Sequence, residues 1–489
     1  MPIQAPIKVR IAPSPSGYLH VGTARTAIFN WLYARKHGGK FVIRIEDTDA
    51  ERSDASLVQP IIDALKWLGI ESDEPIVYQS EREELHRRYV TKLLESGHGY
   101  RCFCTKEDLD AQREKTAQEK RAPRYDRRCA GLSSAEIEKR LAQGALFAVR
   151  LRIPDESSTT YHDLILGDIT RDNSEIEDLV VARSDGRALY NFAVVVDDFE
   201  MGITDIIRGN DHITNTFKQI HIYRALGMPL PRFGHVPLLL RPDKQKVSKR
   251  LGDKDVAEYG TEGVLPETMF NYLCLLGWSP KDGREIMSRA ELIQAFSVEG
   301  VNANNPVFDE QKLVAFNKDY IKNAPLERLV ELVSQNIIAT GLVTAGWLTD
   351  EANRVYLGKV IDLMRERLRV INDFTPLAGF FFTDNYSYDP EGVQKRFLPE
   401  AAARLTRLGE VFAEAPFTHD GLEQTLDSVA TECGVKRADL IHPTRLAVSG
   451  LTQGPSLFEM LVVIGRDRVV ARLRRAVTQI LSAGSQVST

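Results

Sequence analysis

The sequence predicts an α/β nucleotide-binding domain of the doubly wound type, split by an α+β insertion and followed by an all-α half. Three observations carry that expectation. Strand, helix, strand, helix alternate over the first hundred residues. From about 87 to 190 the pattern gives way to charged helices and short extended stretches. From about 255 onward strands nearly vanish. A chain of 489 residues is also too long for one ordinary core, so about two to four domains are expected.

Val9 to Ala12 reads as a short buried strand, broken by Pro13, Pro15 and Gly17. A helix follows from about Gly22, with Ala27, Ile28, Trp31 and Leu32 on one face, and Gly38-Gly39 ends it. Phe41 to Ile45 is a second strand that runs into Glu46-Asp47-Thr48-Asp49. An amphipathic helix with Leu57, Ile61, Leu65 and Leu68 ends near Gly69. Sheets of this type bind ligands beyond the carboxyl ends of their strands, here the 13–22 and 46–49 loops. Phe147 to Ile153 reads as extended, and strand-like patterning returns at Phe192 to Val196 and Ile203 to Ile207. A helix spans about Thr214 to Leu226. Further helices are predicted over 267–276, 326–339, 355–372, 401–413 and 456–483. No internal repeat or low-complexity linker is present.

Composition excludes several classes. Hydrophobic content of 43% and charged content of 27% describe a globular protein. No run approaches about 18 apolar residues, and Met1 to Arg10 lacks the apolar core of a secretory signal, so a cytoplasmic location and no membrane partner are expected. Net charge is −5, which does not by itself suggest a nucleic-acid partner. Charge is uneven, however. Residues 101–129 hold nine lysines and arginines against six acids. Arg466, Arg468, Arg472, Arg474 and Arg475 crowd the last helix beside one acid, Asp467, and the simplest reading of that helix is a solvated face. Five cysteines, three of them clustered, argue against a disulfide framework.

Two segments carry chemistry. Pro13 to Thr23 sits between a strand and a helix, and a helix start offers N–H groups and a positive dipole end to phosphate. His20 can donate to a phosphate oxygen, and Gly22 lets a nucleoside approach the backbone. The competing reading is an ordinary turn before a helix. The second segment is Lys244-Gln245-Lys246-Val247-Ser248-Lys249-Arg250. Lysines on a mobile loop can close over a triphosphate and stabilise departing pyrophosphate, with Ser248 as a further donor. The competing reading is a basic surface loop.

Together, His20-Val21-Gly22-Thr23 and Lys246-Val247-Ser248-Lys249-Arg250 resemble the two signatures of class I aminoacyl-tRNA synthetases. Thr23 stands where the family consensus has a second histidine, a departure common in the glutamate and glutamine branch. Arg10 to Pro15, Phe41 to Asp49, Ile207 to His212, Asn271 to Trp278 and Pro306 to Asp309 resemble the bacterial-type glutamyl branch. The resemblance covers nearly the whole chain and is weakest after about 330.

The resemblance implies a class I Rossmann-like fold in five parts. Residues 1–86 and 191–240 form the two halves of the catalytic domain, and 87–190 an inserted acceptor-stem-binding domain. Residues 241–325 form a stem-contact domain with the lysine loop, and 326–489 an α-helical anticodon-binding domain. It implies that glutamate is activated with ATP and Mg²⁺ to the adenylate, then transferred to the 3′-terminal adenosine of tRNA(Glu). Arg10 and Arg208 would occupy the substrate pocket, with Arg10 on the glutamate side-chain carboxylate, which a bidentate guanidinium fork suits. Glu46 would meet the ammonium, and Ser14 and Tyr190 would add hydrogen bonds. His20, Gly22, Asp211, Val247 and Lys249 would form the ATP site, and His20, Gly22, Lys246, Ser248 and Lys249 the catalytic set. Asp211 could instead cap the helix that follows it. Arg367 would read the anticodon, against a solvated face with Glu–Arg pairing. A monomer is the family default.

Cys102-x-Cys104 followed by Tyr125-x-x-x-Cys129 offers three thiolates and a phenol. Thiolates suit a structural Zn²⁺ with four ligands, and the family resemblance supplies a precedent for tyrosine as the fourth. The alternative is three free thiols. Gly131 occupies the position where other members carry a histidine ligand. A glutaminyl-tRNA synthetase is opposed by the helical pattern after 325, and a short paralogue by the chain length. Whether tRNA(Gln) is also glutamylated stays open.

Overall fold

A computed structural model of the protein describes residues 6–49, 53–118, 125–155, 157–247 and 254–486. Ser248, Lys249 and Arg250 lie outside the described residues. The chain forms two compact units, residues 1–260 with 266–310, and residues 261–265 with 311–489.

The first unit is built on parallel strands. β1 (Lys8–Ile11) pairs with β2 (Lys40–Ile45), and β2 with β3 (Val77–Tyr78). β9 (Asp205–Gly209) pairs in parallel with β10 (Arg232–Val236). β1 and β9 lie side by side, where the Thr204 N–H donates to the Lys8 carbonyl at 2.9 Å. Strand order therefore reverses at β1, the switch point beside which such sheets hold ligands. Arg10, Glu46 and Arg208 all lie at the carboxyl ends of these strands.

α1 (Val21–Lys36) connects β1 to β2. Almost every residue from Ala24 to Ala34 is buried, so the helix is interior and not one-faced. It stops where Gly38 turns left-handed, at φ 62°, and the Gly39 N–H returns to the Ala34 carbonyl. α2 (Val58–Trp67) and α3 (Glu83–Glu95) follow.

In the insertion, β4 (Gly99–Cys102), β5 (Ala148–Leu151) and β8 (Val180–Ala182) form an antiparallel sheet. It is accompanied by α4 (Lys106–Gln118) and α5 (Ser134–Ala142). The hairpin of β6 (Ser158–Asp163) and β7 (Gly167–Asp172) instead joins the nucleotide-binding half, pairing with β10 through Asp163 and Phe233.

Three expectations fail here. Phe192 to Val196 is not a strand but part of helix α6 (Tyr190–Glu200). All residues from Phe192 to Asp198 are buried, so no polar face reveals the helical period, and three consecutive valines mimic a strand. The predicted 355–372 helix is Glu351–Met364, followed by tight turns at Arg365–Arg367 and Ile371–Asp373. The predicted 456–483 helix is two, Leu457–Ile464 and Arg466–Gln486, separated by Gly465 at φ 90°. α7 (Ile213–Ala225) agrees with expectation.

The second unit is helical, as expected. Leu329, Val333 and Ile337 of Leu326–Ala339 share a core with Leu357, Ile361 and Met364. Leu405, Leu408 and Phe412 of Pro399–Glu414 share it with Val469, Leu473 and Ala476 of the last helix.

That last helix is not a solvated basic face. Arg466 donates to the Ala413 and Ala415 carbonyls. Arg468 reaches the Phe381 carbonyl and Asp384. Arg472 is 2% exposed and donates to the carbonyls of Val448, Phe380 and Thr383 and to Asp384. Arg475 donates to the Tyr388 hydroxyl and the Asp384 carbonyl. Arg466 and Arg474 are exposed, and of the two only Arg474 lacks such a carbonyl bond among the described residues. These guanidiniums satisfy carbonyls that would otherwise be unpaired in the interior.

Candidate active site and RNA-facing groups

His20 is the N-cap of α1. Its Nδ1 accepts from the backbone N–H of Gly22 (3.1 Å) and of Thr23 (3.3 Å). Those two N–H groups are thus already bonded and are not the open phosphate cradle expected of a bare helix start. Because Nδ1 accepts, a neutral ring carries its proton on Nε2, which lies 3.0 Å from the Thr23 hydroxyl. Gly22 leaves room for this ring: a Cβ there would sit 3.0 Å from His20 Cε1 and press on it. The Leu19 carbonyl accepts from the Val256 N–H, and His20 bridges to Asp255.

The second motif begins as a turn. Arg241 and Gln245 close it, Lys244 takes a left-handed φ of 65°, and Val247 is buried with its N–H on the Leu239 carbonyl. The Lys246 ammonium lies 3.0 Å from the Asp211 carboxylate. Asp211 makes no side-chain cap on the tight turn Asn210–His212 or on α7, so it is not a helix cap. Lys246 thus stands beside Asp211, and Asp255 beside His20.

Beside the switch point lies a buried charged cluster. Arg10 is 4% exposed, which rules out a surface arginine. Its Nε and Nη2 edge is taken by Asp198, at 3.1 and 3.3 Å. Arg44 is fully buried between Asp198 (2.6 Å) and Glu46 (3.0 Å). Burial would raise the Asp198 carboxyl, but Arg10 and Arg44 outweigh it and hold the group below its ordinary value. Glu46 goes the other way: burial lifts it above its ordinary value in spite of Arg44.

Arg208 reaches the cluster from β9. Its Nη2 donates to Thr216 Oγ1 and Gln219 Oε1, both at 2.7 Å. The hydroxyl of Tyr190 lies 3.2 Å from His212 Nδ1. Desolvation and nearby Glu46 push that hydroxyl up to about 12, so it stays a neutral donor. Ser14 is exposed on the loop after β1 and bonds no described side chain. The structure thus brings the expected Arg10, Glu46, Tyr190 and Arg208 together with Asp198, Arg44, Thr216 and Gln219, which sequence reasoning did not single out.

Cys102, Cys104, Tyr125 and Cys129 come together in the insertion. The Tyr125 oxygen lies 3.3 Å from Cys102 Sγ and 3.5 Å from Cys104 Sγ, and Cys104 Sγ lies 3.6 Å from Cys129 Sγ. All three sulfurs lie within 4.8 Å of one another. A tetrahedral zinc, with bonds of roughly 2.0–2.3 Å, separates its ligands by roughly 3.5–3.8 Å, so the donor set fits the ion. The Arg150 guanidinium stacks on the Tyr125 ring at 3.8 Å, a cation beside what would be an anionic site. Asp178 braces the surroundings, accepting from Tyr100, Arg127 and the Ile153 N–H.

Two openings carry basic side chains. In the first unit, a cavity of about 550 Å³ is lined by Arg87, Arg101, Arg183 and the Phe147 ring. Arg101 Nε is buried there without a partner. In the second unit, a groove of about 1040 Å³ is lined by Lys322, Lys359, Arg365 and Arg367, together with His419 and Glu459. Arg365 pairs with Asp362, and Glu366 with Lys322. Arg367 is exposed and bonds no described residue, so the expected alternative of Glu–Arg pairing does not hold for it.

The family described as tRNA synthetases class I (E and Q), catalytic domain, matches residues 6–315, and an anticodon binding domain matches residues 328–477. The chain is 45% identical over 478 residues to glutamate–tRNA ligase 2 of Koribacter versatilis, covering 97% of this chain and 98% of that one. The chain belongs to the glutamate–tRNA ligase family of class I aminoacyl-tRNA synthetases. It is 43% identical over 473 residues to glutamate–tRNA ligase 1 of Caldanaerobacter subterraneus subsp. tengcongensis, with 96% and 97% covered. The crystal structure of a glutamate tRNA ligase from Elizabethkingia meningosepticum, in complex with its amino acid, matches this synthetase with a TM-score of 0.88. Identity there is 30%, over 97% of this chain and 100% of that one. The fold class and the aminoacyl-tRNA-forming ligase activity read from sequence both stand. Among the described residues no helix is long and apolar enough to cross a membrane.

Proposed function

We propose that this synthetase holds glutamate between Arg10 and Arg208 at the side-chain carboxylate and Glu46 at the ammonium, with Ser14 and Tyr190 completing the pocket. The supporting observation is a charge surplus. Three guanidiniums (Arg10, Arg44, Arg208) stand near two carboxylates, Asp198 and Glu46, which pair with Arg10 and Arg44 only, while neighbouring Asp197 is matched by Arg82. One net anion is missing, and glutamate supplies it. ATP, as its magnesium complex, is assigned to His20, Gly22, Asp211, Val247 and Lys249. The substrate carboxylate attacks the α-phosphate in line, and pyrophosphate leaves. A neutral His20, with its proton on Nε2, donates to the phosphate oxygens as charge builds there, in exchange for its contact with the Thr23 hydroxyl. Lys246, Ser248 and Lys249 stabilise the departing pyrophosphate. The terminal ribose hydroxyl of tRNA then displaces AMP from the adenylate. Positioning and charge stabilisation suffice, without a covalent enzyme intermediate.

The five-part division at 86, 190, 240 and 325 belongs to this reading, with the β6–β7 hairpin counted with the nucleotide-binding half, as do a monomeric state and a cytoplasmic location. The arginine-lined cavity beside Phe147 suits the acceptor strand. Incubation with labelled glutamate, ATP and either tRNA(Glu) or tRNA(Gln) tests the assignment, with Lys249→Ala as the inactive control. Charging of tRNA(Glu) is expected. Charging of both marks an enzyme that feeds a later amidation step. Charging of neither, with glutamine accepted instead, refutes the pocket.

The groove around Arg367 suits the anticodon, whose unstacked bases can be hydrogen-bonded on their edges. Arg367→Ala is expected to raise KM for tRNA by roughly tenfold, with KM for glutamate and ATP unchanged. An unchanged tRNA KM removes Arg367 from the interface.

We also assign a structural zinc to Cys102, Cys104, Tyr125 and Cys129. The ion would cross-link the segment after β4 to residues 125–129, and no chemical step depends on it. Protein purified without chelator should carry about one zinc per chain, and Cys129→Ser should lose it. A metal content near zero in the parent protein rules the site out.

A further inference from the structure

The three buried guanidiniums are compensated differently. Arg10 and Arg44 are both paired with carboxylates. Arg208, 6% exposed, has no carboxylate within ion-pair distance among the described residues; it meets only the neutral oxygens of Thr216 and Gln219. Both bonds fall on one nitrogen, Nη2, and its Nε is buried with no acceptor. A guanidinium can only donate, so the Gln219 amide must turn its oxygen to Arg208. Its nitrogen then donates to Asn191 Oδ1 at 3.1 Å. Behind Thr216, His235 Nε2 lies 2.9 Å from the Thr216 hydroxyl, and its Nδ1 lies 2.6 Å from Asp163. Gln219 and Thr216 both stand on α7, packed beside β9. One edge of the guanidinium is fixed while its charge remains unspent.

We propose that Gln219 is a specificity-determining residue: a neutral acceptor that orients Arg208 without cancelling its charge, so that the pocket demands an anionic amino-acid side chain. This rests on the reading that Arg208 grips the substrate carboxylate. A carboxylate of the same shape at position 219 would supply from within the protein the anion that glutamate otherwise brings. The substrate would then face a neutralised pair, and the carboxamide of glutamine would no longer be at a disadvantage.

The test compares Gln219→Glu with Gln219→Met in steady-state aminoacylation, with thermal unfolding of each. Gln219→Glu should raise KM for glutamate by about 100-fold and leave KM for ATP within about threefold. It should narrow the preference for glutamate over glutamine and raise Tm, because a buried cation gains its counter-ion. Gln219→Met, which loses the bonds but adds no charge, should raise KM for glutamate by only about tenfold. The proposal is overturned if the two variants are equally impaired, if KM for ATP rises in step, or if Gln219→Glu lowers Tm or fails to fold. Arg208→Ala separates the two levels. If it binds glutamate normally, the underlying reading fails. If it loses glutamate while Gln219→Glu keeps it, only the role of Gln219 falls.

Discussion

Replacing Arg208 with alanine should lower kcat/KM for glutamate by about 10³-fold, nearly all of it through KM. Of the three cluster guanidiniums, the pocket would lose the one that no carboxylate among the described residues pairs. Truncating one partner of a buried, hydrogen-bonded charge pair costs about 2–5 kcal/mol, and about 4 kcal/mol corresponds to about 10³. Arg208→Lys should recover little. An ammonium cannot donate two parallel bonds to a carboxylate, and it would not keep the Thr216 and Gln219 contacts in the same geometry. Glutamate titrations at saturating ATP and tRNA decide the matter. A defect confined to kcat, or one shared equally with ATP, would place Arg208 outside the glutamate pocket.

Asp198→Ala is expected to be the most destabilising single change in the first unit. It strands Arg10 and Arg44 in the interior with one carboxylate, Glu46, between them. Breaking a buried pair from one side costs about 3–5 kcal/mol. At roughly 2–4 °C per kcal/mol this lowers Tm by about 10 °C. The pH dependence has a definite sign. The Asp198 carboxyl is held below its ordinary value, so its contribution is complete above the unfolded value, about 3.9, and fades as pH falls through the folded one. The stability gap between the parent protein and Asp198→Asn should therefore be full at pH 7 and shrink below about pH 4. Urea unfolding across that range checks it, and a gap independent of pH down to the acid transition would show that Asp198 is not the anion of the pair.

The first two strands, the helix between them and the α7 helix were legible because their boundaries carry turn chemistry: Pro13, Gly17 and Gly38 punctuate what periodicity alone cannot. α6 was not legible, since burial on all sides erases the polar face by which a helix announces itself. The breaks at Met364 and Gly465 were also hidden, because apolar spacing continues across them. In the site, Arg10, Glu46 and Arg208 stand in recognisable segments. Asp198 does not: its partner Arg10 is 188 residues away, and nothing local marks an acid at the end of an apolar run as the counter-ion of a strand. Gln219 was equally silent, since a neutral amide on a helix face signals nothing until its neighbour is known.

The carbonyl-bound arginines of the last helix bear on how the synthetase should respond to ionic strength. Counting Lys and Arg on Arg466–Gln486 suggests a polycation poised to displace counterions from RNA. Yet Arg466, Arg468, Arg472 and Arg475 are committed to carbonyls, a hydroxyl and Asp384. Salt screens charge at a distance but does not compete for a buried carbonyl. These residues should therefore add nothing to the slope of log affinity for tRNA against log salt concentration. They should also hold the helical unit together as firmly in concentrated salt as in dilute buffer. A helix whose sequence reads as a solvated basic face behaves instead as a fastening.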